Sequence, residues 1–203
     1  MENTKNTSQW NAKKTMAVVV MGLLTAIVVV LQIFASGIQL NPFTVITLVL
    51  APIIVGAALY GWKAGAWLGA VFSAVVLISG QAAPFMAMSI PGTIITVMLK
   101  GTLAGIAGGA VYRLVEKKNR VAAVVTAGIV TPVVNTGIYI LGCLVFFMDF
   151  LQAGMAEKGA ANLFTYVIVF MVGMNFVVEL AINLVLSSAI VLILNLAQKK
   201  IKV

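Results

Sequence analysis

From Met16 to Phe34 the chain carries no charged residue. A helix of that length rises about 1.5 Å per residue and crosses the ~30 Å hydrocarbon core of a bilayer. Comparable apolar runs recur to the end of the chain. With 62% of its residues hydrophobic and only 9% charged, against roughly 25% charged in soluble domains, the sequence reads as an all-α integral membrane protein. A signal peptide would have a shorter apolar core, so the first run is read as a retained helix.

Six spans follow from the hydropathy. After a polar tail over residues 1–15 come Met16 to Phe34, Phe43 to Tyr60, Ala64 to Ser79, Thr93 to Val115, Val121 to Met148 and a last segment from near Phe164 to before Lys199. The membrane domain is placed at 16–198 and a basic C-terminus at 199–203. Pro52 predicts a kink in the second span, and Pro132 a bend in the fifth. The segment from Gly80 to Gly92 is too apolar for a free linker and is expected to pack as a lid or re-entrant piece. Asp149 to Asn162 is expected to be the longest loop. The last segment, over thirty residues, exceeds one crossing and predicts a tilt or a projection from the membrane.

The tail, the turn near Lys63, the loop from Arg113 to Arg120 and the C-terminus hold every basic residue except Lys100 and Lys158. The positive-inside rule therefore sets both termini in the cytosol. The net charge of +8 is read as a topology signal that meets anionic lipid or a cytosolic partner, not nucleic acid. Small residues at four-residue spacing, Gly61, Gly65, Gly69 and Ser73, and again Gly101, Gly105 and Gly109, let helix backbones approach closely in lipid.

Two charges are embedded in the spans, Lys100 and Glu179. A buried charge in a bilayer costs several kcal/mol unless it meets a partner, a cavity or a ligand. Asn175, Glu179 and Asn183 fall on one helical face. Thr96 shares the Lys100 face, and Asn135 and Tyr139 share another. If the fourth span enters from outside, Lys100 lies on the order of 10 Å below the outer boundary, too deep for easy snorkelling and within reach of an outward-facing pocket. The competing reading is a Lys100–Glu179 pair that pins two helices, though such pairs seldom improve on apolar packing. No histidine and one cysteine, Cys143, argue against a metal site and exclude an internal disulfide. No catalytic arrangement is visible, so the chain is read as a binding or transport protein and not an enzyme.

With these residues in view the chain resembles the substrate-binding S components of energy-coupling factor (ECF) vitamin transporters, over roughly residues 14 to 198. The most telling stretch is Leu50 to Gly61, with Ala51-Pro52 near its start, followed by Lys63-Ala64-Gly65. The family's first-helix Ala-x-x-x-Ala has its best match in Gly22-x-x-x-Ala26. The resemblance implies a high-affinity vitamin binder in the bacterial plasma membrane. It would need no cofactor of its own and would dock through Gly22 and Ala26 on a transmembrane coupling subunit served by two cytosolic ATPases, which use the ATP. It implies ligand contacts from Lys100, Asn135, Tyr139, Asn175 and Glu179, with Thr96 and Asn183 beside them and Gln39 and Gln81 in closing loops. It also implies delivery by toppling of the whole subunit.

Lys100 suits an anionic ligand, and Glu179 with the asparagines suits hydroxyl and amide groups. Pantothenate, with a carboxylate, two hydroxyls and an amide, is therefore named first. Riboflavin, pyridoxine, lipoate, queuosine precursors and folates remain open. Two other classes also stand: a proton-coupled secondary transporter using Glu179, and a structural subunit in which Lys100 and Glu179 lock an assembly.

Overall fold

A computed structural model describes the backbone of residues 2–36, 39–41, 44–45 and 49–201, and the side chains of residues 14–36, 49–173 and 176–196. Helices dominate. α1 spans Glu2–Ser36, α2 Leu50–Tyr60, α3 Trp62–Ile78, α4 Ala83–Met86, α5 Ile90–Glu116, α6 Arg120–Phe146, α7 Met148–Glu157 and α8 Leu163–Thr165. A π-helical stretch, Tyr166–Gly173, then leads into α9, Met174–Ile201. A short antiparallel pair, β1 (Gln39–Asn41) and β2 (Thr44–Val45), follows α1.

Among the described residues four helical segments are long and apolar enough to cross a membrane: Lys14–Ser36, Ile90–Glu116, Arg120–Phe146 and Phe176–Leu196. Three shorter apolar helices stand beside them, at Leu50–Tyr60, Trp62–Ile78 and Leu163–Gly173. The surface is itself apolar: Ile33, Leu141, Val185 and Leu192 are all more than half exposed, as a lipid-facing belt requires.

Several expectations are corrected. Among the described residues the second apolar helix begins at Leu50, so Pro52 stands in its first turn. There the N–H that proline lacks has no intrahelical partner to lose, and no interior kink results. The fourth span starts at Ile90, capped by Ser89, whose side chain accepts from the Gly92 N–H. Lys100 therefore sits about 15 Å along this helix. The loop after α6 is partly helical, and α7 buries Leu151 completely. The last segment is not one continuous α-helix. It is interrupted by the π-helical stretch, whose wider i→i+5 turn takes up part of the length. The polar tail is continuous with α1, which is helical from Glu2.

The two small-residue ridges pack against each other. A Cβ added at Gly65 would strike the Gly105 carbonyl, and one added at Gly69 the Gly101 carbonyl. One turn further on, the Ser73 hydroxyl donates to the Val97 carbonyl at 2.6 Å. α3 and α5 thus run antiparallel, in a register that only residues without side-chain bulk allow. Gly61, with φ of +89°, turns α2 into α3, and a Cβ there would meet the Arg113 guanidinium at 2.7 Å.

α5 packs antiparallel on α6 by the same device: Gly108 faces Thr131, and Gly142 faces Thr96. α6 in turn meets α9 where a Cβ on Gly128 would lie 3.1 Å from the Ser187 hydroxyl. At the far end Arg120 Nη1 donates to Asn195 Oδ1 at 2.7 Å, linking the start of α6 to the end of α9. The three longest-packed helices, α5, α6 and α9, therefore have fixed relative heights, which positions their polar residues.

Candidate functional site

The site is built around Lys100, in the third turn of α5. Its ammonium lies over two ring faces, 5.7 Å from the Phe72 centroid on α3 and 5.5 Å from the Tyr139 centroid on α6. Such cation–π contacts strengthen when water is excluded. Lys100 and Tyr139 each keep partial exposure as whole residues, while the ammonium and the phenol hydroxyl are enclosed. Glu179 on α9 is 1% exposed and lies close enough to act on Lys100 electrostatically.

Thr96, one turn before Lys100, is 4% exposed and packs on Gly142. Asn135, one turn before Tyr139, is 5% exposed. Thr96 Oγ1 and Asn135 Oδ1 are both buried with no hydrogen-bond partner among the described residues. A buried polar atom left unmade costs about 1–3 kcal/mol, so each is a place where a ligand group or an ordered water gains a bond. The register set by Gly128 against Ser187 puts Asn135 of α6 at the level of Glu179 on α9.

Asn183 is buried on the Glu179 face, and its Nδ2 donates to the Glu179 carbonyl at 2.9 Å. Ser187 extends this series by one turn, donating to the Asn183 carbonyl at 2.8 Å. It was legible in the sequence as the next member of the four-residue spacing. The side chains of Asn175 and Gln39 lie outside the described residues. Gln81 is not at the centre. Its Oε1 accepts from Gln32 Nε2 of α1 at 2.7 Å.

One face of the site is aromatic. Phe85, on α4, stands edge-on to Tyr139 at 5.9 Å, to Phe147 at 5.1 Å and to Phe150 at 5.5 Å. Cys143, Leu151, Tyr166 and Met171 complete this cluster. The segment between Gly80 and Gly92 thus packs down beside Tyr139. Sequence reasoning found neither Phe72 nor Phe85, because an aromatic residue in an apolar run carries no signal of which polar neighbour it will face.

Gly22 and Ala26 are exposed on α1, and a Cβ on Gly22 would meet nothing within 4 Å. The opposite side of α1 buries Leu24, Val28, Gln32 and Ala35.

The described residues thus gather a lysine, a carboxylate and two buried polar atoms between the packed helices of a helical membrane protein. The chain belongs to the ECF transporter substrate-specific component family, whose model matches residues 16–191. It is therefore a transporter subunit, of a family that binds small substrates and works with a coupling subunit and ATPases. No curated protein and no solved structure matched the sequence.

Proposed function

We propose that this chain is the substrate-capture subunit of an ATP-driven ECF vitamin importer, and that its ligand is a small anionic vitamin of the pantothenate type. The observation that carries the reading is the convergence at Lys100. An enclosed ammonium between two rings has Thr96 Oγ1 and Asn135 Oδ1 nearby in the helix register, both without a hydrogen-bond partner among the described residues.

The ammonium attracts a carboxylate as a point charge. Asn135 Oδ1 accepts only, and so calls for a hydroxyl or an amide N–H. A molecule with one carboxylate, hydroxyls and an amide answers all three. Glu179 and Asn183 supply the α9 side, and Asn175 and Gln39 are proposed as further ligand contacts. In this reading the chain crosses the bilayer six times with both termini cytosolic. Gly22 and Ala26 meet the transmembrane coupling subunit, two cytosolic ATPases use the ATP, and the chain itself catalyses nothing.

Mass spectrometry of small molecules released from the protein after mild detergent purification tests the proposal. A stoichiometric carboxylate-bearing vitamin supports it. A stoichiometric ligand without an anionic group overturns the assignment of Lys100, and failure of every vitamin to bind in a subsequent screen overturns the capture role.

A further inference from the structure

We infer that Gln32 is a positioning residue: its hydrogen bond to Gln81 ties α1 to the segment that closes the ligand site. The inference rests on the site proposed around Lys100. Gln32 is 1% exposed in an otherwise apolar stretch of α1. A buried amide in such surroundings is costly unless bonded, and this one reaches out of its own helix to Gln81 Oε1 at 2.7 Å.

Gln81 follows the Gly80 turn, where φ is +78°, and stands two residues before the start of α4 at Ala83. Phe85 stands one helical turn further on, edge-on to Tyr139, and the Tyr139 ring carries the Lys100 ammonium. The backbone bonds of this segment, from Ala83 N to Gly80 O, Met86 N to Ala82 O and Ser89 N to Phe85 O, close within the segment itself. Among the described residues its long-range polar tie is Gln81 to Gln32, helped by the apolar contacts of Ala82 and Phe85. The same α1 exposes Gly22 and Ala26 on another face. A movement of α1 is thereby transmitted to Phe85 through one hydrogen bond and one short turn.

Cys143 is the sole cysteine, 1% exposed and in the Phe85 cluster. Its rate of modification by methyl methanethiosulfonate reports on opening of the segment with no ligand present. The experiment compares the full chain in detergent, first stripped of bound small molecules by exhaustive washing and checked by mass spectrometry, with Gln32→Leu, Gln81→Leu and the double variant treated in the same way. Loss of one such bond raises the open population roughly tenfold, so each single variant is expected to react about tenfold faster. The double variant is expected to react no faster than the singles, since both remove the same bond. Unchanged rates in the folded single variants overturn the inference, as do single effects that multiply in the double variant. Should Gln32→Leu fail to fold, Gln81→Leu, at the less buried end, decides alone. Because no ligand enters the assay, failure of the vitamin reading shows in the released-ligand experiment and not here.

Discussion

Gly69 and Gly101 meet backbone to backbone: a Cβ on either residue would run into the main chain of the other, with the Gly101 carbonyl directly against Gly69. This contact holds α3 against α5 and brings Phe72 up to Lys100. Burial against lipid does not drive such packing, so close approach and good van der Waals fit must do so. Gly69→Val is expected to destabilise the protein by about 3 kcal/mol, the upper end for overpacking, because the struck atoms are backbone and cannot turn away. Gly137 has nothing within 4 Å of a built Cβ, so Gly137→Ala is expected to be stabilising by about 0.5–1 kcal/mol through helix propensity. Thermal unfolding in one detergent checks both, and the opposite ordering contradicts the packing.

Asn135 is expected to separate stability from function. Replacing a buried acceptor that has no partner with an apolar side chain removes a desolvation cost. Asn135→Leu should therefore leave the unliganded protein as stable as the parent or more so, while weakening ligand binding at least about tenfold. Thermal unfolding of the unliganded protein and titration with the ligand give the two readings. A variant that unfolds early but binds normally would assign Asn135 to packing.

Gly22 and Ala26 test the docking face. Gly22→Leu combined with Ala26→Leu fills an exposed stripe on α1 that contacts nothing within this chain at Gly22. Co-purification with the coupling subunit is expected to be lost while ligand affinity of the isolated chain stays within about twofold, because the new side chains stand on the exposed face of α1 and leave the buried Gln32 untouched. Normal co-purification would remove these two residues from the interface.

The close-packing ridges, though not which ridge meets which, were legible in the sequence because small residues at four-residue spacing have one efficient use in lipid. Gly65, Gly69 and Ser73 found Gly105, Gly101 and Val97. The embedded charges were legible for a similar reason, since Lys100 and Glu179 are too costly to place without purpose. Less could be read where the chain leaves the regular pattern. α7 and the π-helical stretch depend on tertiary contacts of Leu151, Tyr166 and Met171, which hydropathy does not distinguish from a loop or a longer helix. The start of α2 at Leu50 was hidden because Phe43 to Val49 is as apolar as the helix that follows. Gln32 was not singled out in its apolar run, because its partner stands 49 residues further along the chain.

The most direct measurement is the amount of small molecule retained by the parent and by Lys100→Ala after identical mild purification, with folding checked by thermal unfolding. Loss of a desolvated charged contact costs about 2–5 kcal/mol. The parent is therefore expected to carry a near-stoichiometric vitamin with a carboxylate, and the folded variant almost none. Equal retention of the same ligand by a folded Lys100→Ala protein would show that the ammonium between Phe72 and Tyr139 is not where the ligand is held.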